Sequence, residues 1–175
     1  MLGPKYPVDL FCERMIERIE RRTLDAEGAR IVSSIISPED FSLELMREML
    51  RDLSRAERLS LTFRFRRGSN RLDGRSAAEA ERFARLLAAG EFAGEEILLV
   101  GFADSVGKFA VNRDLARQRA ERVLEALRAA VPEGALDNVP ILVKSYGELT
   151  PVGCNDTPEG RELNRRVEVW VRRRG

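Results

Sequence analysis

Residues 96–107, Glu96-Ile-Leu-Leu-Val-Gly101-Phe-Ala-Asp104-Ser-Val-Gly107, decide how this chain folds. Ile97 to Val100 form a continuous apolar run, which suits a central strand covered on both faces. The glycines at 101 and 107 let the backbone turn sharply and approach a ligand closely. Asp104 therefore stands just outside the carboxyl end of that strand, where open α/β sheets place their ligands. The same aspartate has a plainer use, because its carboxylate can accept from backbone amides in a tight turn.

The flanking sequence alternates strand and helix. Leu59, Leu61, Phe63 and Phe65 alternate with Ser60, Thr62, Arg64 and Arg66, predicting a strand with one wet face. The turn Gly68-Ser-Asn70 leads to Ser76-Ala-Ala-Glu79, which reads as a capping box, and to a helix ending at Gly90. A second helix runs from about Arg113 to Ala130, stopped by Pro132 and Gly134. Ile141 to Tyr146 is a third strand, Thr157-Pro158 starts a short helix, and Val167, Val169 and Val171 mark a final strand. The order β-α-β-α-β-(α)-β predicts an α+β fold, a mixed sheet with helices packed on one face and right-handed crossovers.

Residues 1–56 precede this unit and read as a helical segment. Phe11, Met15, Ile16 and Ile19 lie at helical spacing within Asp9–Arg22. Ser37-Pro-Glu-Asp40 is a helix start, followed by an apolar stripe of Phe41, Leu45, Met46, Met49, Leu50 and Leu53. So short a segment cannot cover its own apolar faces, so it packs on residues 57–175 or on an upstream domain.

Arg119 follows Asp104 by fifteen positions (119 − 104) on the second helix. On a helical wheel, Ala116, Ala120, Val123, Leu124 and Leu127 form the buried stripe, with Arg119 and Asn112 on its flank. Gln118, Glu121, Arg122, Glu125 and Arg128 lie opposite. An arginine aimed at the sheet must meet an anion, since burying an unpaired charge is costly. Asp104 itself would satisfy it as a structural salt bridge. Alternatively both groups address one zwitterionic ligand, the aspartate taking an ammonium and the arginine gripping a carboxylate through two parallel hydrogen bonds.

Composition excludes several classes. The 30 basic and 29 acidic residues nearly cancel, leaving a net charge of +1, which argues against a nucleic-acid partner. The run Arg172-Arg-Arg174 is locally basic but reads as a solubilising terminus. The positive charge is almost all arginine, lysine occurring only at 5, 108 and 144. Histidine is absent, which removes the commonest general base and metal ligand. Cys12 and Cys154 form no CxxC pair; two unrelated thiols, or a disulfide in an oxidising compartment, both fit them. No metal site, cofactor or catalytic residue is expected. No apolar run approaches the roughly 20 residues needed to span a bilayer, and the first residues lack the hydrophobic core of a secretory signal. The expectation is a cytosolic protein, or a mature or truncated piece whose export signal lay upstream.

Four motifs in order then carry a resemblance. They are Gly101-Phe-Ala-Asp104-x-x-Gly107, Asn112-x-x-Leu115-Ala-x-x-Arg119-Ala120, Ser145-Tyr-Gly-Glu148-x-x-Pro151 and Asn155-Asp-Thr-Pro-Glu-Gly-Arg161-Glu-Leu-Asn164-Arg-Arg-Val-Glu168. Over about residues 57–175 the chain resembles the OmpA-like C-terminal domain family, whose members bind the peptide stem of peptidoglycan. The resemblance implies that Asp104 holds the ammonium of diaminopimelate and Arg119 its carboxylate, with Asn112, Arg165 and Arg166 lining the same pocket. Arg166 also has a structural reading, as the start of a strand whose wet face carries Glu168 and Arg172. Ala103 and Ala116 depart from the family's threonine and serine, so two hydroxyls near the site are lost. More weakly, Asp25-Ala-Glu-Gly-Ala-Arg-Ile-Val32 and Arg55–Phe63 are similar to the end of phosphate-type periplasmic substrate-binding domains that precede some OmpA-like domains.

The resemblance implies a noncatalytic anchoring module of the bacterial cell envelope, in the periplasm and associated with the outer membrane, with peptidoglycan as partner. An upstream solute-binding domain or an envelope protein would be the second partner. The alternatives are an interaction adaptor of the envelope, built on the front helices and the arginine-rich surface, and a wall hydrolase. The last would need a carboxylate pair or an activated serine, and neither stands at a convincing position.

Overall fold

The computed structural model describes residues 43–174. The Asp9–Arg22 helix, the Ser37 helix start, Phe41, Cys12 and the Asp25–Val32 stretch lie outside them. Ile97 to Val100 are fully buried within strand β2 (Glu95–Phe102), which the sheet places internally. Its neighbours are β3 (Ile141–Gly147), parallel, and β4 (Arg166–Arg173), antiparallel; β1 (Glu57–Arg64) closes the far edge against β4. The strand order β1-β4-β2-β3 is the mixed sheet expected from the alternation of elements.

One face carries helices α2 (Gly74–Ala88) and α3 (Phe109–Ala129). Ala80, Phe83, Ala84 and Leu87 from α2, with Ala120, Val123 and Leu127 from α3, pack on Phe63, Ile97, Leu99, Val167 and Val169. The apolar positions of β2 alternate, so Leu98, Val100 and Phe102 point the other way. There they meet helix α1 (Leu43–Leu53) through Leu45, Met46 and Met49, together with Tyr146. Helix α1 thus packs on the second face of the sheet. Asp52 clamps it: its carboxylate accepts from the Tyr146 hydroxyl at 2.6 Å and pairs with Lys144 at 2.9 Å.

This face corrects one expectation. The face of β4 bearing Arg166 and Glu168 is dry, each residue being 2% exposed. Local details differ as well. The cap of α2 is Asp73, whose carboxylate accepts from the Ser76 amide at 2.7 Å, rather than Ser76 itself. Helix α3 begins four residues earlier than its wheel suggested (113 − 109), taking Asn112 into its first turn. Thr157 caps the short helix α4 (Pro158–Asn164) as expected, accepting from the Gly160 amide.

Gly101 is where α3 reaches the sheet. A Cβ there would stand 2.0 Å from the Ala116 carbonyl oxygen, so the helix can lie this close only over a glycine. Ala116 is itself fully buried, and a larger side chain would lift the helix away. This contact fixes the height of Arg119, one turn further along, above the loop that follows β2.

Candidate functional site

Three loops and one helix meet at the carboxyl end of β2. Asp104 begins the loop, and its Oδ1 accepts from the Val106 amide at 3.1 Å, so it does satisfy a tight turn. Gly107, at φ +105°, completes that turn in a conformation other residues rarely adopt. Asn112 locks the loop to α3 by donating from Nδ2 to the Asp104 carbonyl at 3.0 Å. Asp104 and Asn112 are each 6% exposed.

The partner of Asp104 is Arg165, whose Nη1 lies 2.8 Å from Oδ2 while its Nε donates to the Phe65 carbonyl. Arg165 immediately precedes β4, 61 residues from Asp104, and the pair is mostly shielded from water. A salt bridge between Asp104 and Arg119 is not formed.

Arg119 is 1% exposed and takes no carboxylate. Its Nε donates to the Ser69 carbonyl at 2.9 Å, its Nη2 to the Arg66 carbonyl at 3.2 Å, and its guanidinium stands 5.4 Å from the centre of the Phe65 ring. Nη1 is buried with no hydrogen-bond partner among the described residues. Burial lowers the pKa of this arginine to about 10, Asp104 partly opposing the shift and Arg165 adding to it. Two guanidiniums and one carboxylate therefore share one electrostatic neighbourhood, with a net positive charge and one idle donor. An anionic group is what such a place lacks.

Arg166 is not brought to this cluster. It turns to the opposite face, 4.1 Å above the Phe102 ring. There Nε pairs with Glu168 at 2.7 Å and Nη2 donates to the Thr150 carbonyl at 2.9 Å. Burial pushes the Glu168 carboxyl up, but Arg166, Arg58 and the Trp170 indole outweigh it and hold the group below its usual range. All the visible chemistry of Arg166 is spent inside the fold.

Sequence reasoning did not single out Asn155. Its Oδ1 accepts from the Ser105 amide at 3.2 Å and from Asn164 Nδ2 at 2.8 Å, tying the Asp104 loop to the end of α4. Nor did it single out the carbonyls of Phe65, Arg66 and Ser69, which seat both arginines. Asn155 opened a quoted motif, but its long-range partner leaves no mark on the sequence; backbone carbonyls leave none at all.

The sequence model of the OmpA family matches residues 64–165, which include Asp104, Asn112, Arg119, Asn155 and Arg165 but not Arg166. The chain belongs to the OmpA family. Outer membrane protein A of Bordetella avium is 39% identical over 77 residues, which cover 44% of this chain and 38% of that protein. Peptidoglycan-binding protein ArfA of Mycobacterium tuberculosis is 36% identical over 75 residues, 43% of this chain and 22% of its own. Photosystem I P700 chlorophyll a apoprotein A2 of Gloeobacter violaceus is 31% identical over 120 residues, 65% of this chain and 13% of its own. The chain thus spans well under half the length of these curated relatives. Among solved structures, the C-terminal domain of Helicobacter pylori MotB aligns with a TM-score of 0.56 at 27% identity, over 66% of this chain and 86% of that one. The peptidoglycan-associated lipoprotein of Burkholderia pseudomallei shares the fold, with a TM-score of 0.56 at 23% identity over 63% of this chain and 89% of that one.

Proposed function

We propose that this OmpA-family chain is a noncatalytic anchoring module of the cell envelope that holds peptidoglycan through the diaminopimelate of its stem peptide. The observation that carries the reading is the buried Arg119 guanidinium with Nη1 unpartnered, beside Asp104 and outside the end of β2. Arg119 grips the ligand carboxylate and Asp104 takes the ammonium on the lone pairs that Arg165 and Val106 leave open. Asn112 and Arg165 hold Asp104 in place, and Arg166 supports the sheet from behind. Because Nη1 is shielded, the ligand enters by displacing what covers it, and the dry surroundings then strengthen each ionic contact. The name of the ArfA relative agrees with the partner. The gripping unit is residues 57–175, and the segment before it, residues 1–56, contributes α1 as a cover.

A single small zwitterion buries little area, so affinity for one stem peptide is modest and retention on the polymer comes from avidity. The test is co-sedimentation with sacculi of the diaminopimelate and the lysine types, lysine lacking the second carboxylate. Wild type pellets with the first and is competed by free diaminopimelate, whereas Asp104→Asn and Arg119→Gln each weaken binding by at least about thirtyfold. Variants that pellet like wild type would remove these residues from the site. Equal retention on both kinds of sacculus would remove diaminopimelate as the recognised group.

A further inference from the structure

The end of the sheet far from Asp104 carries an arginine-lined hollow that wall binding does not use. Asp104 lies two residues beyond Phe102, the last of β2, and Glu96 is the second residue of the strand, so the strand alone separates the two places by about 20 Å. The hollow encloses about 630 Å³ between the end of α1 and the end of β4. Arg51 and Arg55 line one wall and Arg172, Arg173 and Arg174 the other, with Glu96 the only acid of the lining among the described residues.

Glu96 is already occupied, accepting from Arg172 Nε at 2.5 Å. The other four arginines are exposed, and their guanidiniums have no ion-pair partner among the described residues. Arg75, Arg85, Arg117 and Arg122 each pair with an acid one turn away on their own helix, and Arg47, Arg67, Arg71, Arg82, Arg113 and Arg128 are exposed without an ion pair among the described residues; what sets the hollow apart is that four unpaired guanidiniums line one concavity. Gathering like charges around one concavity costs electrostatic energy that an anion would recover. Guanidinium is planar, permanently charged and forked, which matches the oxygens of phosphate two at a time. The volume accommodates a group larger than a single inorganic ion.

We propose that this hollow is a second binding site, for a phosphate-bearing anion held between Arg51 and Arg55 on one wall and Arg173 and Arg174 on the other. A free phosphate ester or pyrophosphate and an anionic lipid headgroup offer the same chemistry. The whole chain is titrated with inorganic pyrophosphate by calorimetry, with sodium sulfate as comparator. In parallel it is floated with phosphatidylcholine vesicles, with and without about one-third phosphatidylglycerol, at physiological salt. Binding to pyrophosphate alone assigns a soluble ligand, and binding to the anionic vesicles alone assigns a membrane surface. Each arginine near an anionic surface is worth about fivefold, so Arg55→Gln/Arg174→Gln weakens either binding by about thirtyfold. Both positions are exposed, so the variant keeps its melting temperature and pellets with sacculi like wild type. Three results would overturn the site: no binding of either probe at about 1 mM, binding that the double variant retains, or sulfate bound as tightly as pyrophosphate.

Discussion

Substituting Arg119 by methionine separates a binding group from a structural strut, because the two roles predict opposite changes in stability. The guanidinium is 1% exposed, and burial lowers its pKa to about 10. At about 1.4 kcal/mol per tenfold, the fold carries this charge at a cost of about 3 kcal/mol. Methionine fills a similar length without charge, but gives up the hydrogen bonds to the Ser69 and Arg66 carbonyls. Each is worth about 1 kcal/mol net. The balance favours the variant by about 1 kcal/mol, a rise of roughly 3–6 °C in melting temperature for a domain of this size. Sacculus binding, in contrast, falls by about 2–5 kcal/mol, because a desolvated carboxylate loses its guanidinium partner. Thermal denaturation by circular dichroism and co-sedimentation on the same preparations read both quantities. A variant destabilised by more than about 2 kcal/mol would show that the guanidinium holds the loops together, and the reasoning from its idle Nη1 would fail. A variant that melts higher and still pellets with sacculi would leave the stability argument intact and end the assignment of the grip.

Glu168→Ala leaves Arg166 buried and unpaired and costs about 3–5 kcal/mol, whereas Arg166→Met/Glu168→Leu recovers most of that in urea unfolding and keeps sacculus binding; loss of binding in a folded double variant would return Arg166 to the site. Gly101→Ala drives a Cβ into the Ala116 carbonyl and destabilises by about 3 kcal/mol, seen as a melting temperature lower by 10 °C or so; an unchanged melt would mean that α3 does not lie where described. Burial pushes Asp52 up, but the hydrogen bonds from Lys144 and Tyr146 outweigh it and leave its pKa below the ordinary 3.8. Its contribution to holding α1 is therefore present above about pH 4 and is lost as pH falls through the lower folded value. Hydrogen exchange should show the amides of α1 losing protection in that acid range, with Asp52→Asn removing the step; a step that persists in the variant would place the titrating group elsewhere.

What the sequence revealed was local. The apolar run of β2 announced an internal strand, Thr157-Pro158 announced a helix start, and the wheel position of Arg119 announced a buried charge, because each depends on neighbours within a turn or two. What it hid was long-range. Asp104 is neutralised by Arg165 rather than by Arg119, and no periodicity reports a partner 61 residues away. The wet face expected for β4 is dry because Arg166 lies over the Phe102 ring and donates to the Thr150 carbonyl while Arg58 reaches Glu168, partners drawn from distant elements. Ser76 looked like a cap because serine commonly is one; Asp73, three residues earlier, offers a charged acceptor to the Ser76 amide and takes the position. The arginines at 172–174 read as a solubilising terminus, and their nearness to Arg51 and Arg55, more than a hundred residues earlier, leaves no mark on the sequence.

The carbonyls that seat Arg119 are 50 and 53 positions away from it, and the one that seats Arg165 is 100 away. A nascent or partly melted chain therefore lacks the seats of both arginines, since those contacts close only when the β1 edge has joined the sheet. On the proposed function, attachment to a scaffold becomes a certificate of completed folding: molecules that fail to mature stay unmoored, and those that unravel let go.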